Sequence, residues 1–416
     1  MFRTGGMERV MALADPETHG FDARRLARID ALLNERYVAP GLLPNAQLLI
    51  ARGGDIVHFS HQGSAREGGA PINETSLFRI ASMTKPITAI AFMILVEEGK
   101  VAVDTPVHHV LPEFKGLGVY NGGGGGVPFI TKPTTEPMRM LDLLRHTSGL
   151  TYGFQNRSNV DAAYRDGKLE NWHGNYDLDE FVGALGRLPL EFSPGDAWNY
   201  SVATDVLGAV IQRVSGMTLD AFFRARIFEP LGMHDTFFTV PEDKVDRLTD
   251  CYDWVPGGKK LSDRGEQSAW SRTPRLLSGG GGLVSTALDY HRFCTMCLNG
   301  GTLAGARIVS RKTLELMTLN HLPGGKDLAS LSKSLFSETQ NAGTGFGLGF
   351  AVTMDVAKTM MPGSVGEFYW GGMFSTAFFI DPREQISMVF MTQLRPSSTY
   401  PIRRELKTLI YSALTR

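Results

Sequence analysis

The sequence predicts an α+β fold, one antiparallel β-sheet flanked by helices with a mainly helical lobe inserted. Three observations lead there. β-like runs cluster toward both ends of the chain, helical patterns fill the middle, and 416 residues suffice for two lobes with proper cores. The expected division is a discontinuous sheet lobe, 1–115 and 276–416, around a helical lobe, 116–275, with the active site between them.

Each element has its own signal. Phe21 to Arg36 is a charged amphipathic helix pattern. Gln47 to Arg52 and Ile56 to His61 are β-like runs joined by Gly53-Gly54-Asp55, a hairpin composition. A long apolar run, Ile87 to Val96, reads as a helix ending near Gly99. The middle of the chain mixes helix patterns with loops. Its five glycines, Gly122 to Gly126, lack the Lys-Ser/Thr that closes a phosphate loop, so a surface loop is expected. Gly279 to Gly282 leads directly into Leu283-Val284-Ser285-Thr286 and a helix, so close backbone packing or a turn near the active site is expected there. Phe346 to Val352, Ser375 to Asp381 and Ile386 to Gln393 read as strands, the last two turned by Pro382-Arg383-Glu384. Ile402 to Leu414 reads as a closing helix.

Composition narrows the function. Hydrophobic residues make up 43% and charged residues 20%, and the formal net charge is −1. This is an ordinary globular balance with no electrostatic case for nucleic acid or anionic membrane. No apolar stretch approaches the ~20 residues that span a bilayer. Met1 to Pro16 has no apolar h-region, so a cytoplasmic location is expected. Three cysteines, Cys251, Cys294 and Cys297, argue against a disulfide framework. Cys294-Thr295-Met296-Cys297 has no second pair to complete a metal site, and two buried thiols on a helix are expected. No cofactor is expected.

Ser82-Met83-Thr84-Lys85 stands directly ahead of the apolar run. On a helix, residues three apart are neighbours, so the Ser82 hydroxyl and Lys85 amine could share a proton. The helix start would also favour negative charge developing beside Ser82. The tetrad alone proves little, because Ser330-Leu331-Ser332-Lys333 repeats it in a polar stretch that reads as a loop.

Competing serine chemistry finds no support. The chain has no Gly-x-Ser-x-Gly elbow and no His-Glu-x-x-His. His146-Thr147-Ser148-Gly149 reads as a tight turn, and His108-His109 as solvated loop. Tyr200 follows the Pro194-Gly195 turn and precedes an apolar periodic run from Val202 to Val214, so it sits at a helix entrance. Trp370-Gly371-Gly372-Met373 precedes the strand from Ser375, and the paired glycines would admit a substrate to the backbone.

These motifs, in this order, resemble the serine β-lactamase and penicillin-binding superfamily. Within it the chain resembles the family VIII carboxylesterases related to class C β-lactamases. Ser82-Met83-Thr84-Lys85-Pro86 is similar to the nucleophile motif, and Leu143 to Leu150 to the turn beside the cleft. Tyr200-Ser201-Val202 stands for Tyr-x-Asn and Trp370-Gly371-Gly372 for Lys-Thr-Gly. Glu229 to Met233 and Ser278 to Thr286 continue the likeness, which runs from about Ala23 to the C-terminus. The resemblance implies a class C β-lactamase-like fold and an acyl-enzyme on Ser82. It implies Lys85 or Tyr200 as base and the Ser82 and Met373 N–H groups as oxyanion donors.

Two departures shift the expected chemistry. Val202 replaces the asparagine that could bind an acylamide, and Trp370 replaces the lysine that could hold a β-lactam carboxylate. A carboxylesterase for short-chain neutral esters is therefore expected, with weak β-lactam hydrolysis conceivable. Trp370, Gly371, Gly372, Tyr152 and Phe154 are the expected substrate-binding residues. The alternatives are a β-lactamase, a D-peptide or amide hydrolase or an acyltransferase on the same site, or a sensor that acylates without turnover.

Overall fold

The computed structural model describes residues 13–170, 173, 174, 176–334 and 342–416. Residues 1–12 of the expected sheet lobe lie outside that set. The chain order of the elements that frame the site is α1 (Ala23–Leu32), β1 (Asn45–Arg52), β2 (Asp55–Gly63), α2 (Thr84–Glu97), α3 (Ala203–Ser215) and α4 (Ala287–Leu298). Then come β3 (Thr344–Phe346), β4 (Ala351–Thr353), β5 (Phe368–Gly371), β6 (Ala377–Asp381), β7 (Ile386–Met391) and α5 (Ile402–Ser412).

The strands form one seven-stranded antiparallel sheet in the order β3-β4-β5-β6-β7-β1-β2. Side chains alternate between its faces, as the two-residue period of a strand requires. Leu48, Ile50, Ala377, Phe379, Met388 and Phe390 pack under α1 and α5. Leu49, Phe378, Ile380, Val389 and Met391 share a core with α2 and α4. Both faces are covered, which is why these strands read as nearly continuous apolar runs.

Helix α2 is buried on every side from Thr84 to Leu95. It lies at the centre of the molecule, so it needs no polar face. The stretch 116–275 carries α3 and shorter helices. It also contains a hairpin, Cys251–Val255 and Gly258–Asp263, which pairs in parallel with Leu394–Arg395. Cys294 and Cys297 are buried free thiols on α4. Among the described residues, no single helix is long and apolar enough to cross a membrane.

Three expectations need correction. Phe346 to Val352 is not one strand but the end of β3, a turn and the start of β4. Gly349, at φ 96, makes that turn, and a Cβ there would lie 2.4 Å from Ala89 Cβ on α2. The glycine run is a hairpin, Val119–Gly124 with Val127–Lys132, rather than a loop. Gly125 and Gly126 both take positive φ at its tip, a conformation glycine adopts without cost. Ser330 sits on a short helix, Leu328–Leu331, capped by the Asp327 carboxylate. It is exposed, and its hydroxyl is bonded to Asp327 rather than to a lysine.

One contact fixes the site's frame. Past the end of β5, Gly372 packs against the segment that leads into α2. A Cβ on Gly372 would lie 2.4 Å from both the Ile80 carbonyl oxygen and Thr376 Oγ1. Gly372→Ala is expected to destabilise the fold by about 1–3 kcal/mol through overpacking. A thermal melt tests this, and an unchanged melting temperature would contradict the contact.

Candidate active site

Ser82 lies in a 3₁₀ turn, Ala81–Met83, that feeds directly into α2. The residue before it, Ala81, is fully buried with φ 43, left-handed backbone that a non-glycine residue rarely adopts. Such strain persists only where the surroundings enforce it, and it characteristically marks functional positions. The Ile80 contact with Gly372 is part of that enforcement.

The local spacing brings Lys85 back onto Ser82. Lys85 Nζ is 3.3 Å from Ser82 Oγ, 3.2 Å from the Tyr152 hydroxyl and 2.6 Å from the Gly280 carbonyl oxygen. It also stands 4.6 Å from the centroid of the Tyr200 ring. Lys85 is 2% exposed. Burial drives its pKa down to about 7, against the opposing field of Asp205. An amine in this state loses its proton near neutrality and can then accept one.

Tyr200, two residues before the N-cap of α3, closes the other side. Its hydroxyl is 2.6 Å from Ser82 Oγ. Burial raises its pKa, while hydrogen bonds to Ser82 and Trp370 act in the opposite direction. The ring is held among His146, Tyr152, Trp198 and Trp370 at centroid distances of 5.0, 5.3, 6.1 and 5.5 Å. His146 is no base for Ser148: its Nδ1 is 3.2 Å from Ser201 Oγ. Burial, and secondarily the Lys85 charge, keep its pKa well below the usual histidine value. The tight turn expected at His146 is real, with φ 58 at that residue.

The expected wall residues separate by exposure. Phe154 is 46% exposed and stacks on Tyr152 at 4.9 Å, placing it on the rim. Tyr152 is buried and reaches Lys85 directly, so it belongs to the polar centre. Trp370 is 2% exposed and does not offer an open face. It packs edge-on against Phe346 at 5.4 Å and backs the Tyr200 ring. Met373 is half-buried in the turn that begins with Gly372. The glycines of Trp370-Gly371-Gly372 are filled in by protein: Gly372 by Ile80 and Thr376, and Gly371 by the Arg403 guanidinium.

Asp205 and Arg403 escaped the sequence reading, and of the Gly279 to Gly282 turn only its nearness to the site was legible. Asp205, in the first turn of α3, accepts from the Ser278 hydroxyl and from the Gly280 N–H at 3.0 Å. It thereby holds the glycine turn whose carbonyl receives Lys85. An acidic side chain in an otherwise apolar helix start was the available signal. The Gly280 carbonyl carried no side-chain signal. Arg403, at the start of α5, places a cation behind β5, although the motif itself has lost its lysine.

The chain has known relatives. A family model described as β-lactamase matches residues 33–411. The chain is 35% identical over 333 residues to protein Rv1367c of Mycobacterium tuberculosis, covering 79% of this chain and 80% of that one. It is 32% identical over 405 residues to esterase EstB of Burkholderia gladioli, covering 92% and 94%. The solved structure of EstCE1, described as a hydrolase with promiscuous acyltransferase activity, superposes with a TM-score of 0.77 at 25% identity. The match covers 93% of this chain and 99% of EstCE1. The chain belongs to the β-lactamase family, as a family VIII esterase of the serine β-lactamase and penicillin-binding superfamily.

Proposed function

We propose that this chain is a serine carboxylesterase that hydrolyses short-chain neutral esters through an acyl-enzyme on Ser82. The observation that carries this reading is the convergence of the Tyr200 hydroxyl and the Lys85 amine on Ser82 Oγ, at 2.6 and 3.3 Å. Serine is a weak nucleophile at its free pKa and needs such a partner. Lys85, whose neutral form is well populated near pH 7, takes the Ser82 proton as Oγ attacks the ester carbonyl. Tyr200 rests as a phenol, since burial opposes its phenolate; it gives its proton to the departing alkoxide and takes one back from the Lys85 ammonium, which returns both groups to their resting states. The N–H groups of Ser82 and Met373 receive the oxyanion. Water then enters by the same route and releases the acid.

The neutral-ester preference has physical support. Val202, where an asparagine amide would reach an acylamide, is buried and apolar. The Arg403 guanidinium lies behind β5 and donates to the Gly372 and Thr376 carbonyl oxygens. A substrate in the cleft between the sheet lobe, 1–115 and 276–416, and the helical lobe, 116–275, therefore meets an aromatic rim at Phe154, stacked on the buried Tyr152. Weak β-lactam hydrolysis is compatible with this apparatus. Transfer of the acyl group to an alcohol is the second reading, favoured by the similarity to EstCE1. It would use the same acyl-enzyme, with an alcohol replacing water.

Two expected outcomes test the reading. Ser82→Ala should lower kcat for p-nitrophenyl butyrate by more than about a thousandfold with the fold retained, Tyr200→Phe by at least about tenfold, and Ser330→Ala not at all. Undiminished activity in Ser82→Ala would remove the nucleophile.

The second outcome concerns pH. Because Lys85 must be deprotonated, acylation should rise with pH through about 7. The Asp205 anion raises the Lys85 pKa, so Asp205→Asn should lower it and move the rising limb to lower pH. A limb that stays put or moves to higher pH would deny Lys85 the role of base.

A further inference from the structure

Behind β5, on the face away from Ser82, the chain builds a device that the catalytic triplet does not include. The turn from Gly372 to Thr376 carries Met373. It is closed by Gly372 N–H donating to the Thr376 oxygen at 2.9 Å and Ser375 N–H donating to the Gly372 oxygen at 3.0 Å. A single nitrogen of Arg403, Nη2, donates to both of those acceptors, at 2.9 and 2.8 Å. One amino group thus ties the two ends of the turn together. Gly371 makes this reach feasible: a Cβ there would stand 2.5 Å from Arg403 Cζ and Nη2.

The same guanidinium is close enough to Tyr200 for their charges to act on each other. Arg403 as a residue keeps some solvent exposure, yet burial of its head lowers its pKa to about 10. It therefore carries its charge throughout the neutral range. A cation behind Tyr200 favours negative charge on the phenol oxygen at the moment it gives up a proton.

We propose that Arg403 is a positioning residue for ester hydrolysis. It clamps the turn that presents the Met373 N–H, and it supplies from α5 the positive charge that the Trp-Gly-Gly strand no longer supplies itself. This rests on the esterase reading of Ser82, Tyr200 and Met373. An oxyanion donor acts only when it is held where the charge develops, and loss of one costs about a hundred- to a thousandfold in rate. A loosened donor should cost less than a missing one. The clamp acts on the transition state, so its loss should fall on kcat rather than on KM.

The structure also provides a way to separate the clamp from plain structural support. Arg403 borders a cavity of about 340 Å3 between the sheet and α5, lined also by Tyr369, Phe379, Met388 and the exposed Pro401 and Arg404. Removing the arginine leaves space that a free guanidinium ion can reach from solvent.

The experiment compares Arg403→Ala, Arg403→Lys and Gly371→Ala for p-nitrophenyl butyrate hydrolysis, with thermal melts of each. Arg403→Ala is expected to lose about ten- to a hundredfold in kcat, with KM within about threefold of wild type. Millimolar guanidinium should recover part of that loss, whereas tetramethylammonium, a cation without N–H donors, should not. Arg403→Lys should lie between wild type and Arg403→Ala. Gly371→Ala, whose new methyl would press first on the Arg403 guanidinium and push it off its two carbonyls, should fold and lose kcat in the same way. Combining it with Arg403→Ala should add little, because both remove one interaction.

A kcat within about threefold of wild type in folded Arg403→Ala or Gly371→Ala would overturn the clamp and leave Ser82 in place. Rescue by both cations equally, or by neither, would overturn it too. Failure of the esterase reading itself shows elsewhere, as full activity in Ser82→Ala.

Discussion

The site is organised around the burial of one amine. Removing an ammonium from water costs several kcal/mol even after the protein relaxes. Lys85 lies at the foot of a helix buried on all sides, and its pKa falls to about 7 in response. What surrounds it limits that fall without cancelling it. The Gly280 carbonyl accepts at 2.6 Å, and the Asp205 carboxylate, fixed by Ser278 and Gly280, supplies a nearby negative charge. Elements distant in sequence meet at this nitrogen: the start of α2, the start of α3, the Gly280 turn and Tyr152. In the proposed mechanism the lysine is poised because its partners are an anion held at one remove and neutral oxygens in contact.

Rigid packing accompanies the polar centre. Ala81 is held in left-handed backbone next to Ser82, and the Ile80 carbonyl is seated against Gly372. These contacts join the nucleophile's segment to the turn after β5 through backbone atoms, which have no rotamers to lose. Preorganisation of this kind is what lets N–H groups stabilise a developing charge without reorganising during the reaction.

Much of this was legible in the sequence, and the limits have physical causes. The sheet showed itself because both its faces are apolar, so β6 and β7 read as strands. The same property hid the turn between β3 and β4, since Gly347, Leu348 and Gly349 sit in an unbroken apolar run. Ser82, Lys85 and Tyr200 were visible through local spacing and their order along the chain, and the structure brings all three together. Ser330-Leu331-Ser332-Lys333 satisfies the same four-letter pattern on an exposed helix, where Asp327 takes up the serine hydroxyl. Asp205 left a faint trace as a carboxylate in an apolar segment. The glycines Gly279 to Gly282 marked a close-packed turn near the site, but Gly280 contributes through its carbonyl, which every residue has, and that role left no pattern. Arg403 lies in an amphipathic helix rich in surface charge, and only the fold separates it from Arg404 beside it.

The Trp-Gly-Gly segment shows why motif substitution is hard to read without a structure. A tryptophan in place of lysine suggests an aromatic face open to substrate and a cation simply deleted. Trp370 instead fills the space behind Tyr200, and a cation is present on the opposite side of the strand. The difference lies in what each side of β5 presents. A lysine on the strand would extend an ammonium toward the cleft, available to an anionic substrate. The Arg403 guanidinium approaches through the gap left by Gly371 and donates to main-chain carbonyls. Its charge still acts on Tyr200 through space, while the cleft side of the strand carries packed aromatic rings and backbone. Moving the cation from the front of the strand to the back thus separates two roles a motif lysine would combine, electrostatic support of the tyrosine and recognition of a substrate anion. Only the first is retained, which agrees with the neutral ester proposed as substrate.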